Sequence, residues 1–416
     1  MKASDIDRIF DITESFQLPQ RVLDILFSDD KERIFDDLIG LGEDLGHDWF
    51  TEYFEENHAN KSKMAQDFTP QAIADLLGGL LPEVETVADI CAGTGGLTIG
   101  YWNRRHNTSF VCYELSERAI PLLLLNLAIR NITALVFRMD ILTGEIFETY
   151  RIEKGERYST LYRESLEPPR VDCVISNPPY SLKYSGSEDE SRFGEFAGTI
   201  PSNFADYAFV AFALTMTEGA CGFILPHGVL FRANKEGAIR EKIIRDHRIK
   251  TIVGLPDKAF LNTDIPTCIM LFDKSSDVLF IDAKDECRKD RKFNVMNPEN
   301  VDNILLLSKA RQSVKKKSHL AGFEEMERND FNLNIPRYVD SYEPPEPIDL
   351  NAVAAKLLEV DRQLEKNSKE LAEMLGKVVS DDPEKSEAIR QYIKYLTRKG
   401  KKDETDHRPV NISIFD

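Results

Sequence analysis

The sequence has no apolar run approaching the roughly 18–20 residues that a membrane-spanning helix needs. Its longest comparable stretch, Ala119–Ile129, contains Pro121 and Asn126. No membrane partner is expected. The first ten residues are polar and acidic, which does not fit a secretory signal. Six cysteines are scattered with no C-x-x-C pair. That argues against a structural zinc site or a disulfide framework and makes a reducing cytoplasm the default. No Walker A loop and no cluster of metal-ligand spacing occurs, so no metal is expected. Positive charge is short: 53 Lys and Arg stand against 71 Asp and Glu, a net charge of −18. Residues 1–66 hold 7 basic and 16 acidic residues, half of that excess. Such a chain is a poor stand-alone nucleic-acid binder, because phosphate neutralisation dominates that affinity. A nucleic-acid substrate is not excluded, but a partner would have to supply much of the grip.

What is present is an ordinary globular composition, 42% hydrophobic and 30% charged over 416 residues. That length suggests two or three domains. Residues 1–66 read as a polar helical region, with Ile34, Leu38 and Leu41 at helical spacing and no catalytic pattern before Gln66. From residue 67 to 283 short apolar strands alternate with helices. Strands are expected at 86–90, 109–113, 134–138, 171–176, 220–225, 249–255, 267–273 and 278–282. This rhythm predicts an α/β fold with a doubly wound, parallel, Rossmann-like sheet, which binds ligands at the carboxyl ends of its strands. The sheet is expected to end near 283. Residues 284–347 read as a connecting segment, closed by the rigid Glu343–Pro347 stretch. Residues 348–416 read as a C-terminal helical, coiled-coil-like region. There Leu350, Val353, Leu357, Val360, Leu364, Asn367, Leu371 and Met374 alternate steps of three and four, a heptad seam with one polar position. The seam packs either on its own domain or on another subunit.

Chemistry concentrates at the strand ends. Asp89 closes the first strand and runs into Ala92-Gly93-Thr94-Gly95-Gly96, directly before a helix. Glycines let the backbone approach a ligand with no Cβ in the way. The pattern D-x-x-x-G-x-G-G places an acid where a dinucleotide turn would receive a pyrophosphate. An acid facing the site suits a cationic ligand, and S-adenosylmethionine carries both a sulfonium and an ammonium. Glu114 ends the second strand, where a carboxylate can accept from two ribose hydroxyls. Asp140 ends the third and is placed to accept from the adenine amino group. Any one of these acids could simply be solvated at a helix cap; three at successive strand ends point to one cofactor.

The fourth strand ends in Asn177-Pro178-Pro179-Tyr180. Two prolines fix φ and remove two N–H donors, so the chain stays extended and its carbonyls remain free to face a ligand. The Asn177 side-chain oxygen and the Pro178 carbonyl then offer two acceptors to an exocyclic amine. Accepting both N–H bonds localises the nitrogen lone pair for in-line attack on a methyl group. Tyr180 offers a flat face to a base.

With these residues the sequence resembles S-adenosylmethionine-dependent amino-methyltransferases. The segment Gln66-Asp67-Phe68-Thr69-Pro70 resembles the F-x-T-P-type segment of adenine-N6 DNA methyltransferases, which implies that it lies over the methionine end of the cofactor. More narrowly, Cys221–Phe231 and Phe331–Val339 make the chain look like the modification subunit of a type I restriction–modification system, over about residues 45–375. Its N-terminal helical region is shorter than is usual there. The resemblance implies site-specific methylation of adenine N6 in double-stranded DNA. It also implies a specificity subunit, two copies of this chain around it, and room for a nuclease subunit. The absence of any Pro-Cys dipeptide removes the thiol nucleophile of a cytosine-C5 mechanism. Asn rather than Ser before the prolines favours adenine N6 over cytosine N4. No β-rich stretch follows residue 283, so the chain is expected not to read DNA sequence alone. Two other readings stay open: a protein glutamine N5-methyltransferase, and a non-catalytic structural subunit that has kept the fold.

Overall fold

The computed structural model describes residues 3–41, 44–51, 53, 69–184, 189–260, 265–290, 293–341 and 349–399. The chain divides into two units, Met1–Tyr342 and Glu343–Asp416.

The first unit is built on strands Thr86–Asp89 (β1), Ser109–Glu114 (β2), Ala134–Asp140 (β3), Glu145–Glu153 (β4), Thr160–Arg163 (β5), Cys173–Ser176 (β6), Ala220–Pro226 (β7), Ile249–Gly254 (β8), Thr267–Phe272 (β9), Asp277–Asp282 (β10), Arg288–Asp290 (β11), Phe293–Val295 (β12) and Ser318–Gly322 (β13). Among the described residues, eleven of these form one sheet in the order β13-β10-β8-β9-β7-β6-β1-β2-β3-β4-β5, and β11 pairs with β12 alone. The central run β3-β2-β1-β6-β7 is parallel throughout. Its carboxyl ends therefore share one edge, and the strand order switches direction between β1 and β6, where open α/β sheets hold their ligands.

Burial explains why these strands read as continuous apolar runs. Val87, Phe110, Cys112 and Ile175 enter one core cluster, while their neighbours Ala88, Val111, Tyr113 and Val174 enter the other. Side chains alternate along a strand, so a sheet covered on both faces needs apolar residues at every position. On the first face the helix Ile120–Ile129 lies against the sheet with all ten of its residues buried. Its outer side is covered by the N-terminal helices Ala3–Phe10, Leu18–Leu26 and Lys31–Ile39, which add Ile6, Phe10, Leu18, Val22, Phe35 and Leu38 to the same core. These three helices thus form a third layer over this face of the sheet.

The sheet departs from the expected one in three places. It is mixed: β9 runs antiparallel between β7 and β8. It extends past β3 through the antiparallel pair β4 and β5. It also does not stop near 283, because β13 pairs antiparallel with β10 and carries the sheet to residue 322. The added strands β4, β5 and β13 lie at the two ends of the sheet, where solvent reaches part of each strand, whereas β9 is buried along its whole length within it.

The second unit contains the helices Leu350–Gly376 and Pro383–Lys399. Asp349 caps the first, its Oδ1 accepting from the amides of Asn351 (2.9 Å) and Ala352 (3.1 Å). The seam residues Leu350, Val353, Leu357, Val360, Leu364, Leu371 and Met374 are all exposed.

Candidate active site

The turn after β1 is shaped by two glycines with positive φ, Gly93 at 56° and Gly95 at 107°. A Cβ on Gly95 would stand 3.1 Å from Leu123 Cδ1, so both conformation and space call for glycine there. The turn is pinned to β2: Ala92 N–H donates to the Tyr113 carbonyl at 2.9 Å, and Gly93 N–H donates to Glu114 Oε2 at 2.8 Å. Glu114 Oε1 accepts from Ser116 N–H at 2.6 Å. This carboxylate is buried, and burial pushes its pKa up against the pull of the Ser116 and Gly93 amides. Each of its oxygens keeps a second lone pair for a ligand hydroxyl.

A cavity opens at the carboxyl ends of β1, β2, β3 and β6. It is lined by Ala92, Gly93, Gly96, Glu114, Asp140, Asn177, Pro178 and Pro179, with apolar walls from Leu115, Met139, Ile141, Leu142, Leu182 and Phe209. Asp140 Oδ1 accepts from the amides of Leu142 (2.9 Å) and Thr143 (3.3 Å), which turns its loop around the cavity. Thr69 also lines it, and its hydroxyl accepts from Asn177 Nδ2 at 2.9 Å. Asn177 Oδ1 accepts from the Tyr180 hydroxyl at 2.7 Å. A carbonyl oxygen accommodates two donors.

Several expected site residues stand elsewhere. Asp89 does not face the cavity. It is fully buried beneath the turn, held by Thr98 Oγ1 at 2.9 Å and Cys91 N–H at 3.4 Å. Burial raises its pKa to about 7, and nearby Glu114 pushes the same way. Gly95 and Thr94 shape the turn from behind. Tyr180 packs edge-on against Phe260, with ring centroids 6.4 Å apart, and does not line the cavity. Pro70 borders a neighbouring cavity that shares Thr51, Thr69 and Gly96 with this one. Gln66, Asp67 and Phe68 lie outside the described residues.

The site also uses residues that carry no visible pattern. Asp48, from the region expected to be free of chemistry, reaches the glycine turn. Its Oδ2 accepts from the hydroxyls of Thr94 and Thr51, and its Oδ1 from Asn126 Nδ2 at 2.7 Å. Asn126 Nδ2 also donates to the Thr94 carbonyl at 2.8 Å. Arg130 completes the group, donating to Asn126 Oδ1 at 2.8 Å and to the Leu45 and His47 carbonyls. Burial lowers the Arg130 pKa to about 10, with Asp48 and Asp44 opposing. Only Asn126 left a trace in the sequence, as the one polar residue inside an apolar helix.

Comparison with known proteins agrees with this geometry. The family model described as N-6 DNA Methylase matches residues 43–346. The chain is 29% identical to the type I restriction enzyme MjaVII methylase subunit of Methanocaldococcus jannaschii, covering 80% of this chain and 58% of that one. It is 27% identical to the MpnII methylase subunit of Mycoplasma pneumoniae, over 73% of this chain and 58% of the relative. The chain therefore spans about three fifths of the length of these curated relatives. Among solved structures, the methyltransferase subunit of a type I restriction–modification system from Streptococcus thermophilus superposes with a TM-score of 0.60 at 27% identity, covering 81% of this chain and 79% of that one.

Proposed function

The chain belongs to the N-6 DNA methylase family, and from that membership we propose that it transfers a methyl group from S-adenosylmethionine to N6 of adenine in double-stranded DNA. It does so as the modification subunit of a type I-like system, with sequence choice supplied by a specificity subunit. The observation that carries this reading is that Asn177-Pro178-Pro179 and the glycine turn, Glu114 and Asp140 open on one cavity.

The cavity fits the cofactor. A Cβ placed on Gly96 would stand 3.9 Å from the Thr69 carbonyl, so bare backbone faces the cavity without crowding. Glu114 accepts from the ribose hydroxyls and Asp140 from the adenine amino group. Leu115 and Ile141 flank the slot a purine needs. When bound, the cofactor supplies a methyl group on a positive sulfur. The protein supplies the rest of the geometry. Asn177 Oδ1 and the Pro178 carbonyl accept the two N–H bonds of the target amine, which raises the availability of its lone pair. Thr69 fixes the Asn177 amide so that its oxygen, not its nitrogen, is presented. Tyr180, packed away from the cavity, steadies Asn177 Oδ1 through its hydroxyl, and the target base must leave the duplex to reach this site, as enzymes acting on bases require. In this reading residues 67–283 carry the reaction and residues 1–66 brace the cofactor turn. Within the connecting segment, β13 extends the sheet beside β10, and residues 348–416 take the partner.

The test is tritium transfer from labelled S-adenosylmethionine. Label is expected in adenine of DNA and not in protein. Asn177→Ala should abolish transfer while leaving cofactor affinity unchanged in calorimetry. Label in protein glutamine, or full activity in the variant, would remove the assignment.

A further inference from the structure

Two sequence motifs, residues 221–231 and 331–339, find no use in the reaction as described, yet they meet. Arg240 joins them. Its Nε donates to the Phe331 carbonyl at 2.8 Å, and its NH1 to the carbonyls of Val229 (3.1 Å) and Arg232 (2.9 Å). Leu333 N–H adds a bond to the Leu230 carbonyl at 2.9 Å. The backbone at 229–232 is thereby fixed, and the Arg232 side chain is sent towards the catalytic loop. Its NH1 donates to Asp206 Oδ2 at 2.9 Å and to Glu236 Oε1 at 3.2 Å, and its NH2 to Ser181 Oγ at 3.3 Å. The guanidinium lies 4.2 Å over the Phe204 ring. A Cβ on Gly228 would stand 2.4 Å from Arg232 Nε, so the glycine of the first motif makes room for this side chain.

The second oxygen of Asp206 accepts from Ser181 N–H at 3.0 Å. Ser181, Asp206 and Arg232 therefore close a ring of three hydrogen bonds. Ser181 has φ of 52°, a left-handed conformation that a non-glycine residue keeps only where its surroundings hold it. The preceding residue is Tyr180, whose hydroxyl bonds to Asn177 Oδ1.

We infer that Arg232 is a positioning residue: it holds Ser181 in place and so sets where Tyr180 stands against Asn177. The geometry of this tether is independent of the reaction; its effect on turnover rests on the proposed methyl transfer. Lysine cannot replace it, because one ammonium does not span Asp206 and Ser181 as the planar fork does. Removing the cation outright would leave two buried carboxylates facing each other. Arg232→Lys and Ser181→Ala are therefore the variants to use.

In the full chain, Arg232→Lys should speed backbone hydrogen exchange at the Ser181 amide by about tenfold or more. Exchange in the glycine turn and affinity for S-adenosylmethionine should not change. In tritium transfer to DNA by the complex with its specificity partner, kcat should fall by about tenfold or more with the cofactor KM unchanged. Ser181→Ala should lower kcat less, and should add nothing in the Arg232→Lys background. A general loss of stability would give no such non-additivity. Unaltered Ser181 exchange overturns the inference, and so does a parallel loss of kcat and cofactor affinity. If the unaltered complex puts no label into DNA, the methyl-transfer reading fails and the exchange measurement alone decides the role of Arg232.

Discussion

Glu114 serves two masters at the scale of single residues. It is the candidate ribose acceptor, and it also holds the amides of Gly93 and Ser116. Glu114→Ala should therefore weaken S-adenosylmethionine binding by more than about tenfold, since hydrogen bonds to a charged acceptor contribute roughly 1.5–3 kcal/mol. Titration calorimetry would show it, and unchanged affinity would end the assignment. Asp89 leads to a different expectation. Its folded pKa of about 7 lies above the ordinary carboxylate value. The folded state therefore holds a proton that the unfolded chain has already released, and this group's contribution to stability falls as pH rises from about 4 to about 7. Asp89→Asn should flatten that part of the stability–pH curve, measured by urea unfolding at several pH values. An unchanged slope would show that Asp89 stays ionised under Thr98. Asp89, Glu114 and Asp140 were legible because an acid closing an apolar strand is conspicuous. The fate of Asp89 was not, because strand position says nothing about which way a carboxylate turns. Asp48 was illegible, because its partner Thr94 is distant in sequence and nothing in a polar acidic region marks one aspartate among many.

Elements were readable in proportion to their burial. Strands β1, β2, β3, β6 and β7 are covered on both faces and read as unbroken apolar runs. By contrast, β4 is exposed over its first three residues and pairs with a short edge strand, and salt bridges such as Arg163 with Glu148 join the two. Charged residues suit an edge, which must not recruit further strands, and they erase the strand signal. The glycine turn is the element most sensitive to a single atom. Gly95→Ala combines a φ of 107° with a close approach to Leu123. It should cost about 1–2 kcal/mol from the backbone conformation alone, seen as a lower urea midpoint. It should also weaken cofactor binding, because the cavity floor shifts with the turn. An unchanged midpoint would show that the turn relaxes around a methyl group.

The whole molecule presents an exposed apolar stripe on the helix Leu350–Gly376 and carries a net charge of −18. Under the proposed function the two features point the same way: DNA affinity would come from an assembly, with the stripe as the surface on which it forms. Placing Asp at both Leu357 and Leu364 should split the complex in size-exclusion chromatography and leave cofactor affinity intact. Sequence-specific methylation by the chain alone would contradict this. The helix Ile120–Ile129 carries another consequence, one about time. A helix apolar on every side is sticky until both of its faces are covered, one by the sheet and one by residues 3–39. Because chains are synthesised from the N-terminus and early segments gain structure first, the outer cover leaves the ribosome before the helix it must shield. The N-terminal helices are thus already synthesised when this apolar helix needs its outer cover.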